Sequence, residues 1–345
     1  MARSRTPLED RFVGCLIGQC LGDALGFVVE GYGGDHCRRY VDDYLRSGRA
    51  GELGRPPFAF GQYSDDSQLA RELLLSLVDC RGFNPADYAA RIAEIFVENR
   101  VVGRGRSTEA AALRLANGTP WQESGTPAPM AGNGSAMRVG PIGLLFHDSP
   151  DELLRAAHDQ GRATHADPRC SAGAVLIAGA VAVALRTTDI EVASFVDHLA
   201  ELAATFDDAM ADEVKRLPEW LALSPAQAGP VIARAGDRGD MPDRGWDCIA
   251  PFVVPSVLWS LYAFLRSPDD YWETICTAIM VGGDVDTTAA MAGAISGARN
   301  GAAAIPSTLA ERLTDQGTWT HEELVSLARR LHRLTLGDDG VGDRP

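Results

Sequence analysis

The chain has 345 residues, 46% of them hydrophobic and 23% charged, enough to bury a substantial core and unlike a disordered composition. Against 47 aspartates and glutamates stand 32 lysines and arginines, so the formal charge is −15; this excludes a broad basic face for nucleic acid, where affinity rests on phosphate neutralisation. Glycine is in surplus, at 36 residues or about 10% against a usual ~7%. The seven cysteines (Cys15, Cys20, Cys37, Cys80, Cys170, Cys248 and Cys276) form no CxxC pair, so neither a disulfide framework nor a zinc ribbon is expected.

In chain order, a polar N-terminus (1–9) without an apolar signal-peptide core precedes a helix-spaced apolar segment at 11–29, which stops at Glu30-Gly31. Residues 64–78 start a second helix with an acidic first turn. Helical periodicity continues at 86–99, 107–116, 151–160, 168–185, 190–205, 208–221, 252–265, 271–280, 287–298 and 321–336, and no alternating run suggests a strand. Glycine- and proline-rich loops are predicted at 31–57, 118–134 and 236–251, and a frayed tail at 338–345. With no low-complexity linker, this predicts an all-α chain: a compact orthogonal bundle of many helices, one domain over 10–337, its loops converging on a site. The longest apolar stretch, 171–185, ends at Arg186, so the chain reads as soluble, cytoplasmic and without a membrane segment; a monomer is the expected state, though no sequence feature fixes it.

Two acidic helix starts carry the clearest chemistry. In Ser64-Asp65-Asp66 the adjacent aspartates point about 100° apart, which suits two ions better than one. In Gly282-Gly283-Asp284-Val285-Asp286-Thr287 two carboxylates spaced by one residue can face the same side, with the Thr287 hydroxyl beside them. Singly, each is also an ordinary capped helix. Meeting in space, they would place four carboxylates together at a repulsion that divalent cations relieve; oxygen donors without His or Cys favour Mg²⁺, Mn²⁺ or Ca²⁺ over Zn²⁺. Ser64, Asp65, Asp66, Asp284, Asp286 and Thr287 would then hold two ions ~3.5–4 Å apart.

Three further segments stand out. Glu30 ends an apolar run where a helix gives way to loop, as a solvated helix end or a site group, and Asp23 lies mid-helix between glycines, as a structural residue or one that backs the site groups. Gly132-Asn133-Gly134-Ser135 alternates glycine with polar residues before a helical stretch, as an ordinary loop or as amides presented to a phosphate. His165, just before the Asp167-Pro168 helix start, is a structural or a substrate-facing group, and Gly103-Arg104-Gly105 opens a flexible basic loop into the next helix.

These motifs, in this order, resemble the ADP-ribosylglycohydrolase family, from GCLIGQCLGDALGFVVEG at 14–31 to GGDVDTTAAMAGAISGA at 282–298. The resemblance implies an all-α fold with a dinuclear Mg²⁺ or Mn²⁺ centre at converging helix N-termini. It implies an enzyme that binds ADP-ribose and hydrolyses its bond at the ribose anomeric carbon, releasing ADP-ribose from an ADP-ribosylated acceptor such as a protein side chain. It places metal ligands on Ser64, Asp65, Asp66, Asp284, Asp286 and Thr287, catalysis on Glu30, Asp65 and Asp286, and substrate contacts on Asn133, Gly134, Ser135, His165, Gly103, Arg104 and Gly105, with the 133–135 loop near the diphosphate. Two departures matter: Ser64 and Val285 stand where the family has threonine, and Gly103-Arg104-Gly105 lacks the aspartate that one branch uses as a base, which leaves that role to Glu30 or a metal-bound water. A non-catalytic ADP-ribose-binding relative and a metal-dependent phosphohydrolase of a nucleotide diphosphate are the alternatives.

Overall fold

A computed structural model describes residues 8–239 and 248–337. Most of the expected flexible N-terminus, all of the tail at 338–345 and part of the loop at 236–251 lie outside the described residues. In chain order the helices are α1 (Leu8–Phe27), α2 (Gly34–Tyr40), α3 (Asp65–Asp79), α4 (Pro85–Val97), α5 (Arg106–Ala116), α6 (Gly140–Leu145), α7 (Pro150–Arg162), α8 (Pro168–Arg186), α9 (Val192–Ala204), α10 (Asp208–Val214), α11 (Leu217–Leu221), α12 (Pro225–Ile232), α13 (Val253–Arg266), α14 (Tyr271–Met280), α15 (Val285–Asn300), α16 (Ser307–Ala310) and α17 (His321–Thr335). Only isolated β-bridges, and no strands, occur among the described residues. The all-α expectation holds.

Local chemistry explains most helix starts. Asn84 accepts from the amides of Ala86 and Asp87 with Pro85 in the first turn, Asp167 accepts from Arg169 with Pro168 likewise, and Thr320 with Glu323 forms a capping box. Three expectations fail. The loop at 31–57 contains the short helix α2, whose polar sequence GDHCRRY carries no apolar stripe, and after it a π-helical turn, Val41–Leu45. The helix at 208–221 breaks into α10 and α11, because Pro218 supplies no amide to continue it. α6 and α12 are short and lack a periodic stripe long enough to read.

α1, α8, α13 and α15 are buried on nearly every side and form the interior, as small and apolar residues all round a helix require. α8 is long and apolar enough to cross a membrane, yet 89% of its apolar window is buried within the protein, so it is a core helix. α1 and α15 cross antiparallel along two small-residue rows. A Cβ at Gly14, Gly18, Gly22 or Gly26 would lie 2.4, 2.5, 2.2 or 2.4 Å from the carbonyl oxygens of Gly297, Gly293, Ala289 and Val285. Their four-residue spacing keeps one face of each helix in backbone contact along the crossing. It also seats the C-terminal end of α1 on the N-terminal end of α15, which fixes Glu30 near Asp284 and Asp286. No disulfide links any of the seven cysteines.

Candidate active site

The turn between α14 and α15 is pinned by backbone hydrogen bonds. The Gly31 amide donates to the Gly283 carbonyl at 2.8 Å, the Gly283 amide to the Tyr32 carbonyl at 2.9 Å, and the Asp284 amide to the Ile249 carbonyl at 2.9 Å. Carboxylate oxygens of Glu30, Asp284 and Asp286 lie within 4.8 Å of one another as a result.

The second acidic start reaches the same place through Asp23. This fully buried side chain of α1 accepts from the amide of Ser64 at 2.9 and 3.1 Å and from that of Ser67 at 3.1 Å, so it tethers the uncovered first turn of α3. The Asp65 amide donates to the Val102 carbonyl at 2.7 Å and the Gly105 amide to Asp65 Oδ2 at 3.4 Å. Asp65, Asp66, Asp284 and Asp286 are each no more than 6% exposed. Burial, and after it the charge of neighbouring carboxylates, holds Asp65, Asp66 and Asp286 well above the ordinary carboxylate pKa, and Asp23 is pushed up to about 6 by burial. Asp66 Oδ1 is buried and makes no hydrogen bond among the described residues. A carboxylate oxygen with no hydrogen bond among the described residues, in an all-oxygen donor set whose crowded negative charge burial disfavours, fits hard divalent cations.

These groups line one part of a cavity of about 860 Å³. Glu30, Asp65, Asp66, Asp284, Asp286, Thr287, Asn133, Gly134, His165, Gly103, Arg104 and Gly105 all face it. Ser64 does not line it: it is fully buried and donates to Asp66 Oδ2 at 3.0 Å, from behind the ligand set. Ser135 is also absent from the wall, because it sits in a 3₁₀ turn (Asn133–Ser135) and its hydroxyl donates to the Cys170 carbonyl at 2.9 Å. Asn133 is tied to the acidic groups: its Nδ2 donates to Asp284 Oδ2 and, at 3.0 Å, to Ser256 Oγ. Arg104 is held by Glu109 at 2.8 Å and by Asn99.

The backbone at Gly103 explains the missing aspartate. Its φ is +78°, and a Cβ there would lie 3.2 Å from Asp65 Oδ1, so a carboxylate at this position would be strained and driven against Asp65. The residue that sequence reasoning missed is Arg55, inside the supposed loop. Its Nη1 donates to Glu30 Oε2 at 2.5 Å and to the Phe27 carbonyl at 3.0 Å, with the guanidinium 4.6 Å above the Phe27 ring.

The ADP-ribosylglycohydrolase family profile matches residues 4–340. The chain belongs to this family. An ADP-ribosylglycohydrolase-related protein complex contains a chain of the same fold, with a TM-score of 0.69 and 28% identity over 95% of this chain and 99% of that one. ADP-ribosylhydrolase ARH3 of Xenopus tropicalis is 30% identical over 94% of this chain and 98% of its own. ADP-ribosylarginine hydrolase Tri1 of Pseudomonas putida is 27% identical over 88% and 74% respectively. The ADP-ribosylglycohydrolase motifs thus converge in this chain on a single cavity.

Proposed function

We propose that this protein is a divalent-cation-dependent ADP-ribosyl hydrolase that cleaves the glycosidic bond at the ribose anomeric carbon of an ADP-ribosylated protein side chain and releases ADP-ribose. The observation that carries this reading is the convergence of Glu30, Asp65, Asp66, Asp284 and Asp286 on one part of the cavity, with Asp66 Oδ1 making no hydrogen bond among the described residues. Asp65, Asp66, Asp284, Asp286 and Thr287 would hold two Mg²⁺ or Mn²⁺ ions, with Ser64 supporting Asp66. When bound, such ions orient sugar hydroxyls and lower the pKa of water.

Glu30 is the most accessible of the five carboxylates and takes the proton of the attacking water. Water oxygen bonds to the anomeric carbon as the bond to the acceptor breaks, and the acceptor leaves with the proton that Glu30 took from the water. Arg55 aims Glu30 through their ion pair. Asp65 and Asp286 fix the reacting ribose relative to Glu30, and the surrounding carboxylates stabilise its oxocarbenium character.

The test is hydrolysis of peptides ADP-ribosylated on arginine or on serine, in EDTA and in Mg²⁺. ADP-ribose released only with the cation is the expected result. Turnover by fully stripped protein refutes the cation requirement, AMP as product identifies a phosphohydrolase, and ADP-ribose binding without turnover identifies a non-catalytic relative.

A further inference from the structure

His165 is 2% exposed, and its ring lies against the Gly132–Gly134 backbone, where a Cβ at Gly132 would fall 3.2 Å from Nε2. Nε2 has no protein hydrogen-bond partner among the described residues, and the ring lines the cavity. On the other side, Nδ1 is 2.8 Å from Thr164 Oγ1. That hydroxyl accepts from Arg138 Nη2 at 2.8 Å and has one hydrogen to give. The Gly161 carbonyl is a poor recipient at 3.4 Å, already taking the amides of Thr164 at 3.0 Å and His165 at 2.9 Å. The hydrogen therefore goes to Nδ1, which must be bare, and the neutral imidazole carries its own on Nε2.

Arg138 makes this arrangement one-sided. It is fully buried, its Nη1 makes no hydrogen bond among the described residues, and its hydrogen-bond partners there, the Gln160 side chain and carbonyl and Thr164, are all uncharged. A buried cation on the Thr164 side favours the Nδ1 lone pair facing it and disfavours an N–H there. Burial, and after it the Arg138 charge, lowers the His165 pKa to about 3, so the ring is not a proton carrier near neutrality.

We propose that Arg138, Thr164 and His165 form a hydrogen-bond relay that fixes His165 as a neutral Nε2–H donor to an anionic phosphate oxygen of the bound nucleotide. A second donor stands beside it: Thr108, 2% exposed and with no hydrogen-bond partner for its hydroxyl among the described residues, lines the same cavity, its Oγ1 3.1 Å from where a Cβ of Gly134 would be. Thr108 is in the first turn of α5, which has no side-chain cap. Arg138 and Thr164 are positioning residues, acting through His165. Only the ligand's identity rests on the function proposed above; the tautomer belongs to the free protein.

Long-range ¹H–¹⁵N correlation spectra of histidine-labelled full-length protein, with His165→Gln for assignment, read the tautomer directly. The expected result is a protonated Nε2 and a bare Nδ1. Thr164→Val should shift the ring toward the Nδ1–H form and weaken ADP-ribose binding in Mg²⁺, measured by calorimetry, by about tenfold, or ~1.4 kcal/mol. Thr164→Ser should restore both. A wild-type ring protonated on Nδ1, or Thr164→Val binding ADP-ribose as wild type does, overturns the relay. Failure of the wild type to bind ADP-ribose overturns the functional reading and the phosphate assignment with it, and the nitrogen shifts alone then decide the relay.

Discussion

Removing divalent cations should destabilise the protein more at high pH than at low. Asp65, Asp66 and Asp286 have pKa values raised well above the ordinary carboxylate value, and Asp23 behind them rises from 3.8 to about 6. For such groups the folded chain holds more protons than the unfolded one, so stability is lost as pH climbs from the unfolded value through the folded one. Asp23 alone accounts for about 3 kcal/mol by neutral pH, at ~1.4 kcal/mol for each pH unit separating its folded and unfolded pKa. A cation that lets the carboxylates ionise displaces their protons and removes the dependence. For each proton displaced, the stability gap between cation-bound and stripped protein widens by ~1.4 kcal/mol per pH unit, or about 2 kcal/mol from pH ~6 to ~7.5. At ~2.1 cal/mol/K per residue, unfolding entropy for 345 residues is about 0.7 kcal/mol/K, so the gap in Tm should grow by about 3 °C. His165 works in the opposite sense, since its lowered pKa gives stability that is present above ~6.5 and lost as pH falls toward about 3. Its contribution is common to both samples and cancels in the gap. Scanning calorimetry in EDTA and in Mg²⁺ at the two pH values measures the effect. A gap that is constant or narrows, with no proton release in binding calorimetry, would refute the reasoning.

Gly22→Ala would push a methyl to 2.2 Å from the Ala289 carbonyl oxygen, and a loss of about 3 kcal/mol or more should lower Tm by ~4 °C; an unchanged melting curve would mean the helices separate freely. Asp23→Ala leaves the Ser64 and Ser67 amides buried without an acceptor at ~1–3 kcal/mol each, and calorimetric Mg²⁺ binding should weaken as the first turn of α3 shifts. Cation affinity equal to wild type would show that Asp23 does not place Asp65 and Asp66. Glu30→Gln keeps the shape and an acceptor for Arg55, so turnover should fall ~10²–10⁴-fold with ADP-ribose affinity preserved; wild-type turnover would remove Glu30 from the reaction.

What could be read without coordinates follows the range of the interactions involved. Ser64-Asp65-Asp66 and Asp284-Val285-Asp286-Thr287 declare themselves because a helix start is a local event: a cap, an acidic first turn and an apolar stripe lie within a few residues. Asn133 on Asp284, Arg55 on Glu30 and Asp23 on the Ser64 amide are pairings between segments far apart in the chain, and no periodicity carries them. The place of Ser135 off the cavity wall has a related reason. A glycine-rich loop shows that backbone amides can be presented, but one 3₁₀ turn decides which side chains face the cavity, and here it sends the hydroxyl to Cys170.

The glycine surplus does more at the site than loosen its loops. Along α1 every fourth residue from Gly14 to Gly26 is a glycine, matched on α15 by Val285, Ala289, Gly293 and Gly297, so the two backbones meet without intervening side chains. That contact seats the end of α1 against the start of α15, and the Gly31–Gly283 hydrogen bonds continue it into the loops. Glu30 and the Asp284-Asp286 pair are therefore positioned by one rigid crossing rather than by two independent loops. Asp23, from the same helix, positions α3. All the acidic groups of the proposed cation site thus refer back to α1, and a slip of α1 by one turn along α15, about 5.4 Å, would separate them entirely.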